Sequence, residues 1–341
     1  MDRRVTIKDV AEEIGVSTAT VSNVIHGKTK KISERTVAKV QEKLQESGYI
    51  PNMAAVLLAQ NSSKIVCVVV SDHERYEGRM LEDPFVTQMV NTISKELTKC
   101  GYFMMIKEER NIDRIVEYAS MWNMAGLILM GYCSVDYEKL RAKMHIPFVV
   151  VDSYERNVKS YIDIGIDNID GGYQAGQYLI QKGHEKILYL ADNKEDCDLF
   201  RYKGLVKALQ EARLPVNEEF YRMVSIEKEK RVRDFEDILQ FIMEQGITAV
   251  FAASDMYALE WMRFLLKNGV KVPDDISIIG FDDIPLAAQV YPGLSTISQD
   301  IPVRAKMAVE MLHGQVEGRE SGGSVLLKAR LVERESVADL R

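Results

Sequence analysis

Apolar positions near the start of the chain recur at helical spacing. Thr6-Ile-Lys-Asp9 fits a capping box, with Asp where Glu is usual at its end. Ile7, Val10, Ala11 and Ile14 then fall three and four apart, which predicts a short amphipathic helix. Gly15 follows where a helix needs a left-handed terminating residue. Ser17 caps a predicted second helix with Val21 and Val24 on its inner face. Ser33 caps a third, with Val37, Val40 and Leu44 inward and Gly48 closing it. Two short helices about a tight Gly-Val turn have the geometry of a helix-turn-helix, with Ala11 small at the close approach and Val16 plugging the turn. The outer face of the second helix is then Ser17, Thr18, Ala19, Thr20, Ser22 and Asn23. Such short polar groups can enter a major groove and meet base edges and phosphates. Spacing alone also fits a three-helix bundle with a solvated face.

Beyond residue 60 the pattern changes to short β-rich apolar runs alternating with amphipathic stretches. Predicted strands are Ile65–Val70, Tyr102–Ile106, Gly126–Met130 and Phe148–Val151, then Tyr161–Ile166, Ile187–Ala191, Phe220–Val224, Ala249–Ala253 and Ile276–Phe281. Helical patterns such as Phe85–Cys100 and Gly171–Lys182 lie between them. This alternation predicts parallel, doubly wound α/β sheets. Nine or more strands exceed one typical sheet, so two lobes are expected. Gly171-Gly172 and Gly183-His184 read as element ends and turns, with His184 in a turn or on the surface.

Charge sharpens the division. The net charge of −7 argues weakly against nucleic acid for the chain as a whole. Residues 1–60, however, carry nine Lys/Arg against seven Asp/Glu, and the remainder has a net charge of −9. A mildly basic head on an acidic body confines non-specific DNA contact to one end. A chain of 341 residues suits two or three domains and buries a large core without staples. Cys67, Cys100, Cys133 and Cys197 lie far apart and read as buried or neutral thiols. The N-terminus has no apolar signal core and no run approaches transmembrane length, so a cytoplasmic protein with no membrane partner is expected. No Walker A, G-x-G-x-x-G, H-E-x-x-H or G-x-S-x-G motif occurs, and five scattered His make no ligand cluster. Catalysis, a cofactor and a metal are therefore not expected. An exported solute-binding protein would need a signal peptide where the capped helix-turn-helix stands.

VTIKDVAEEIGVSTATVSNVIHG, at 5–27, resembles the N-terminal signature of the lactose-repressor/galactose-repressor family almost residue for residue, and GYIPNMAAVLLA, at 48–59, resembles the hinge that follows. The resemblance extends over essentially the whole chain. It implies that the second helix reads the major groove, with Thr18, Ala19 and Asn23 at base-contacting positions and Thr20 and Ser22 facing phosphates or supporting. Asn23 departs from the Arg or His often found there, and an Asn can pair bidentately with adenine. Lys28, Lys30 and Lys31 lie where they can reach phosphates. The expected DNA-binding set is Thr6, Ser17, Thr18, Ala19, Thr20, Ser22, Asn23, His26, Lys28, Asn52 and Leu58. The hinge implies a short helix that meets its dimer mate in the minor groove, with Leu58 as the wedge that kinks the duplex. Val56 and Ala59 depart from the Arg and Lys frequent in that hinge.

In the body, IDNIDGGYQAGQYLIQKGHEKILYLA (166–191) resembles the strand and helix opening the second lobe, and VPDDISIIGFDDIPLA (272–287) is the most specific motif. The body resembles a periplasmic sugar-binding-protein fold, which implies two interleaved lobes, about 62–160 with 292–322 and about 161–291 with 323–341. The expected division is a headpiece at 1–50, a hinge at 51–61 and an effector-binding and dimerisation domain at 62–341. Ligands of such folds sit at the carboxyl ends of strands. Family matching nominates Phe85, Arg201, Ile226, Ser254 and Asp282 for the effector pocket. Ser254 stands where Asn is usual and Ile226 where an aromatic often stacks. The expected function is repression by a homodimer on a pseudo-palindromic operator. Its affinity would be controlled by a sugar-like effector or, alternatively, mainly by a protein partner.

Overall fold

The computed structural model describes residues 5–25, 27–50, 63–71, 78–131, 134–153, 161–319 and 322–341. The chain forms two compact units, Met1–Ser63 and Lys64–Arg341. The expected hinge at 51–61, with Asn52 and Leu58, and His26 of the headpiece lie outside the described residues.

In the first unit α1 (Ile7–Ile14), α2 (Thr18–Ile25) and α3 (Glu34–Glu46) pack around Val10, Ala11, Val21, Val24 and Val40. Full burial of a valine such as Val21 or Val40 stabilises by roughly 1.5–3 kcal/mol. The capping box closes from both sides. The Thr6 amide donates to Asp9 Oδ2 at 2.8 Å, and the Asp9 amide donates to Thr6 Oγ1 at 3.3 Å. Gly15, at φ 73, ends α1 and starts the turn that delivers α2.

The second unit holds two six-stranded sheets. The first comprises β1 (Ile65–Val70), β2 (Phe103–Glu108), β3 (Gly126–Met130), β4 (Phe148–Val151), β5 (Ile162–Ile166) and β11 (Val325–Leu327). Their order is β11-β5-β4-β3-β1-β2, parallel throughout. The second comprises β6 (Ile187–Ala191), β7 (Tyr221–Met223), β8 (Ala249–Ala252), β9 (Ser277–Asp282), β10 (Ser295–Ser298) and β12 (Arg330–Val332). Their order is β12-β10-β9-β8-β6-β7, with only β12 antiparallel. The central strands are buried apolar runs, as strands covered on both faces must be. The covering helices are α4 (Pro84–Lys99), α5 (Ile112–Met121), α6 (Ser134–Lys143), α7 (Asn168–Gln181), α8 (Asp196–Glu211), α9 (Lys228–Gln245), α10 (Asp255–Lys267) and α11 (Ile301–Val316). Helices α4 and α11 share one core with the first sheet through Met89, Ile93, Ala305 and Val309.

Three expectations are corrected. The lobe boundaries move, because β5 joins the first sheet beside β4, β10 joins the second beside β9, and β11 returns to the first. The chain therefore crosses between lobes after β5, after β10 and after β11. The resemblance places the boundaries only approximately, and strand pairing puts 161–166 and 323–327 in the first lobe and 295–298 in the second. Second, Gly171-Gly172 ends no element; it lies inside α7. A Cβ on Gly172 would come within 1.9 Å of the Arg201 carbonyl oxygen, and one on Gly204 within 2.2 Å of that of Ile169. These glycines let α7 and α8 pack backbone to backbone. Third, His184 is a core residue with 1% exposure. Its Nδ1 lies 2.9 Å from Thr248 Oγ1 and its Nε2 3.2 Å from the Ala338 carbonyl. Burial lowers its pKa, favouring the neutral ring. Cys67 is likewise buried, and burial pushes its thiol up to about 12.

Candidate DNA-reading helix and ligand cleft

In the headpiece Thr18, Ala19 and Asn23 are exposed on α2, while Thr20 and Ser22 are half-buried. The position of Thr20 follows from the cap. Ser17 Oγ accepts from the Thr20 amide at 3.1 Å and lies 2.9 Å from Thr20 Oγ1, so both hydroxyls are engaged at the helix start. The Thr6 hydroxyl is similarly held by Asp9 Oδ2 at 2.6 Å. Lys28, Lys30 and Lys31 follow α2 as exposed cations. No acidic side chain occupies the first turn of α2. Its positive end is therefore not offset, which suits an approaching phosphate.

In the body a cavity of about 180 Å³ is lined by Phe85, Arg201, Ile226, Ser254 and Asp282 together. Phe85 lies in the first turn of α4, beside the first sheet; the other four come from the second lobe. Five polar residues of the wall lie at strand ends. Asp152 follows β4, Asp192 follows β6, Ser254 follows β8, Asp282 ends β9 and Gln299 follows β10. This is the edge where doubly wound sheets bind ligands.

Arg201 is buried, and its Nε and Nη1 have protein acceptors. Nε donates to Asn168 Oδ1 at 2.9 Å, Nη1 donates to the Ala253 carbonyl, and Nη2 lies 4.0 Å from Asp282 Oδ1. The guanidinium stacks on Phe281, 3.7 Å from the ring centroid. Asp282 accepts from Gln299 Nε2. Burial pushes the Asp282 carboxyl up to about 7, against the pull of Arg201. Ser254 also caps α10, accepting from the Tyr257 amide at 3.4 Å. Arg231, which pairs with Glu260, donates to the Ile226 carbonyl and so holds that wall in place.

Several wall residues escaped the sequence reading. Asp152 and Asp192 had a usable signal, since each is the first polar residue after a buried apolar run. Arg79, Arg231 and Glu260 had none; they sit in ordinary polar stretches and reach the cleft only through the fold. Among the described residues no group of His, Cys, Asp and Glu is arranged to hold a metal ion, and no helix is long and apolar enough to cross a membrane.

A capped helix-turn-helix followed by two doubly wound lobes that meet at a polar cleft is the build of a DNA-binding regulator with a sensing domain. Residues 6–52 match the family described as bacterial regulatory proteins, lacI family, and residues 177–337 match a periplasmic binding protein-like domain. The HTH-type transcriptional repressor PurR of Photorhabdus laumondii is 33% identical over 98% of this chain and 97% of its own length. PurR of Escherichia coli is also 33% identical, with the same coverage. The lac repressor dimer bound to operator and the anti-inducer ONPF superimposes with a TM-score of 0.82 at 26% identity, covering 98% of this chain and all of that one. The transcriptional regulator CelR in complex with cellobiose gives 0.70 at 26% identity, with the same coverage. The chain belongs to the LacI family. It is a DNA-binding transcriptional repressor, not an enzyme.

Proposed function

We propose that the chain represses as a homodimer on a pseudo-palindromic operator in the cytoplasm, and that a polar small molecule, a carbohydrate or its derivative, controls its operator affinity from the interlobe cleft. The observation that carries this reading is the convergence of Phe85, Arg201, Ile226, Ser254 and Asp282, distant in sequence, on one cavity. A carboxylate and a guanidinium can grip hydroxyls from two sides. The cellobiose complex of CelR and the operator-bound dimer of the lac repressor support the same assignment by analogy. A single reading helix covers one half-site, so two related by a dyad read two half-sites. Thr18, Ala19 and Asn23 read bases, Lys28 contacts phosphate, and Leu58 of the hinge wedges the minor groove.

Ligand bound to both lobes favours one relative orientation by its difference in affinity between the two. Operator must then alter ligand affinity by the same factor that ligand alters operator affinity, typically 1–3 kcal/mol. The test begins with a thermal-shift screen of sugars, sugar phosphates and purines. The hit is then titrated calorimetrically into wild type and Asp282→Ala, with and without selected operator. Equal ligand affinity in both proteins would refute the pocket, and an affinity unaffected by operator would refute the allosteric control.

A further inference from the structure

Arg304 is fully buried in the first turn of α11, on the first lobe. A guanidinium withdrawn from water needs partners for most of its donors; among the described residues Nη1 and Nη2 of Arg304 have them and Nε has none. Nη1 donates to Gln299 Oε1 at 2.6 Å, and Nη2 donates to Asp152 and, at 3.1 Å, to the Ile164 carbonyl in β5. Gln299, itself 3% exposed, donates from the other end of its amide to Asp282 Oδ1 at 2.5 Å. Asp282 faces Arg201. Arg201, Asp282, Gln299, Arg304 and Asp152 thus form one continuous polar chain. It starts in the second lobe, passes through Gln299 on the segment that crosses between lobes, and ends in the first.

The chain has a direction. The Gln299 amide must present oxygen to Arg304 and nitrogen to Asp282, so a change at one end disturbs the other. The backbone marks the same place. Asp152, Asp282, Asp283 and Asp300 hold φ of 62, 127, 58 and 47. Aspartate tolerates the left-handed φ of Asp152, Asp283 and Asp300, but φ 127 at Asp282 lies outside that well and must be imposed by its surroundings. Each of the four belongs to the polar chain or neighbours one of its members in sequence.

We propose that Gln299 and Arg304 are positioning residues, which orient the Asp282 carboxylate in the cleft and fix the relative orientation of the two lobes before any ligand arrives. The orienting of Asp282 for ligand rests on the reading of the cleft as the effector site; the lobe orientation does not, and is tested without ligand. Spin labels at exposed Glu117 of the first lobe and exposed Lys207 of the second, in the full-length chain with its cysteines replaced, report the interlobe distance by pulsed electron resonance. Wild type is expected to give one narrow distribution. Gln299→Met and Arg304→Met each shift or broaden it by several ångström. The double variant goes no further than the larger single effect, because either change breaks the same link. Arg304→Lys, which keeps a buried donor, restores most of the wild-type distribution. A purely structural role would lower the melting temperature of both Met variants and leave the distances in place. Distributions that superimpose on wild type, or single effects that simply add, would overturn the proposal. Should Arg304→Met fail to fold, Gln299→Met decides the matter alone, since it keeps the shape of the side chain and removes only the polar link. Loss of the effector reading would leave this outcome standing, and an unchanged distance would leave the effector reading intact.

Discussion

The headpiece and the cleft make their recognition surfaces in opposite ways. The proposed reading surface uses Thr18, Ala19 and Asn23, within six consecutive positions of one helix, all exposed. The folded head does not depend on them, because its core is Val10, Ala11, Val21, Val24 and Val40. The cleft instead uses Arg201 and Asp282, far apart in sequence and both buried. Their bonds to Asn168, the Ala253 carbonyl and Gln299 hold the second lobe together as well as shape the site. Specificity and stability are therefore separable at one end of the protein and entangled at the other.

The largest effect that could break this contrast is expected at Arg201. Arg201→Ala leaves Asp282 without its buried cation and two acceptors without their donor, at a cost of about 3–5 kcal/mol. Urea denaturation of the body measures it, and a cost within error of zero would show that the cleft is as separable as the head. Asn23→Ala carries the opposite expectation. Discrimination at one base pair of the operator falls by about 1–3 kcal/mol, and the melting temperature of the head stays put. An unchanged preference in operator selection would remove Asn23 from the reading set.

Asp282→Asn sharpens the entanglement through pH. Burial raises the folded-state carboxyl from 3.8 to about 7. Between those values the folded protein holds a proton that the unfolded chain has released, so this group's effect on stability worsens as pH rises across that window. Above about 7 the penalty is complete. Asparagine keeps the acceptor for Gln299 and has no charge to bury. The variant is therefore expected to gain stability over wild type progressively from about pH 4 to about pH 7, and to keep a constant advantage above it. Denaturation at a series of pH values checks this, and parallel curves would reject it. The smallest effect is expected from Lys28→Ala, which on the proposed reading removes one phosphate contact from each protomer of the dimer. All operator sequences weaken alike, and the slope of log affinity against log salt falls by about 1.8 for the two contacts. A slope unchanged within error would place Lys28 away from the duplex.

The same contrast decides what could be read from residues alone. Caps, turn and core of the head lie within a few positions of one another, so local rules were sufficient for them. In the body most strands announced themselves as apolar runs. The exceptions are physical: Ser295–Ser298 is polar in sequence yet fully buried, and β11 and β12 span three residues each. Which sheet a strand joins depends on pairings such as Val149 with Ile162, which no periodicity records. His184 looked exposed because its partners, Thr248 and Ala338, are supplied by remote segments. Gln299 and Arg304 carried no signal at all, since a glutamine after a strand and an arginine near a helix start are ordinary on a surface. Only the fold shows them buried and joined.

The three crossings between lobes also bear on how the body is made. Strands β10, β11 and β12 and helix α11 all come from residue 295 onward. During synthesis the first sheet waits with β5 as an open edge, and the second with β9. Each open edge is a row of unpaired amides and carbonyls, able to capture a strand from another chain. Neither lobe completes its sheet until residues 325–332 leave the ribosome, so the body is one folding unit with two late closures, and truncation before residue 295 exposes both edges at once.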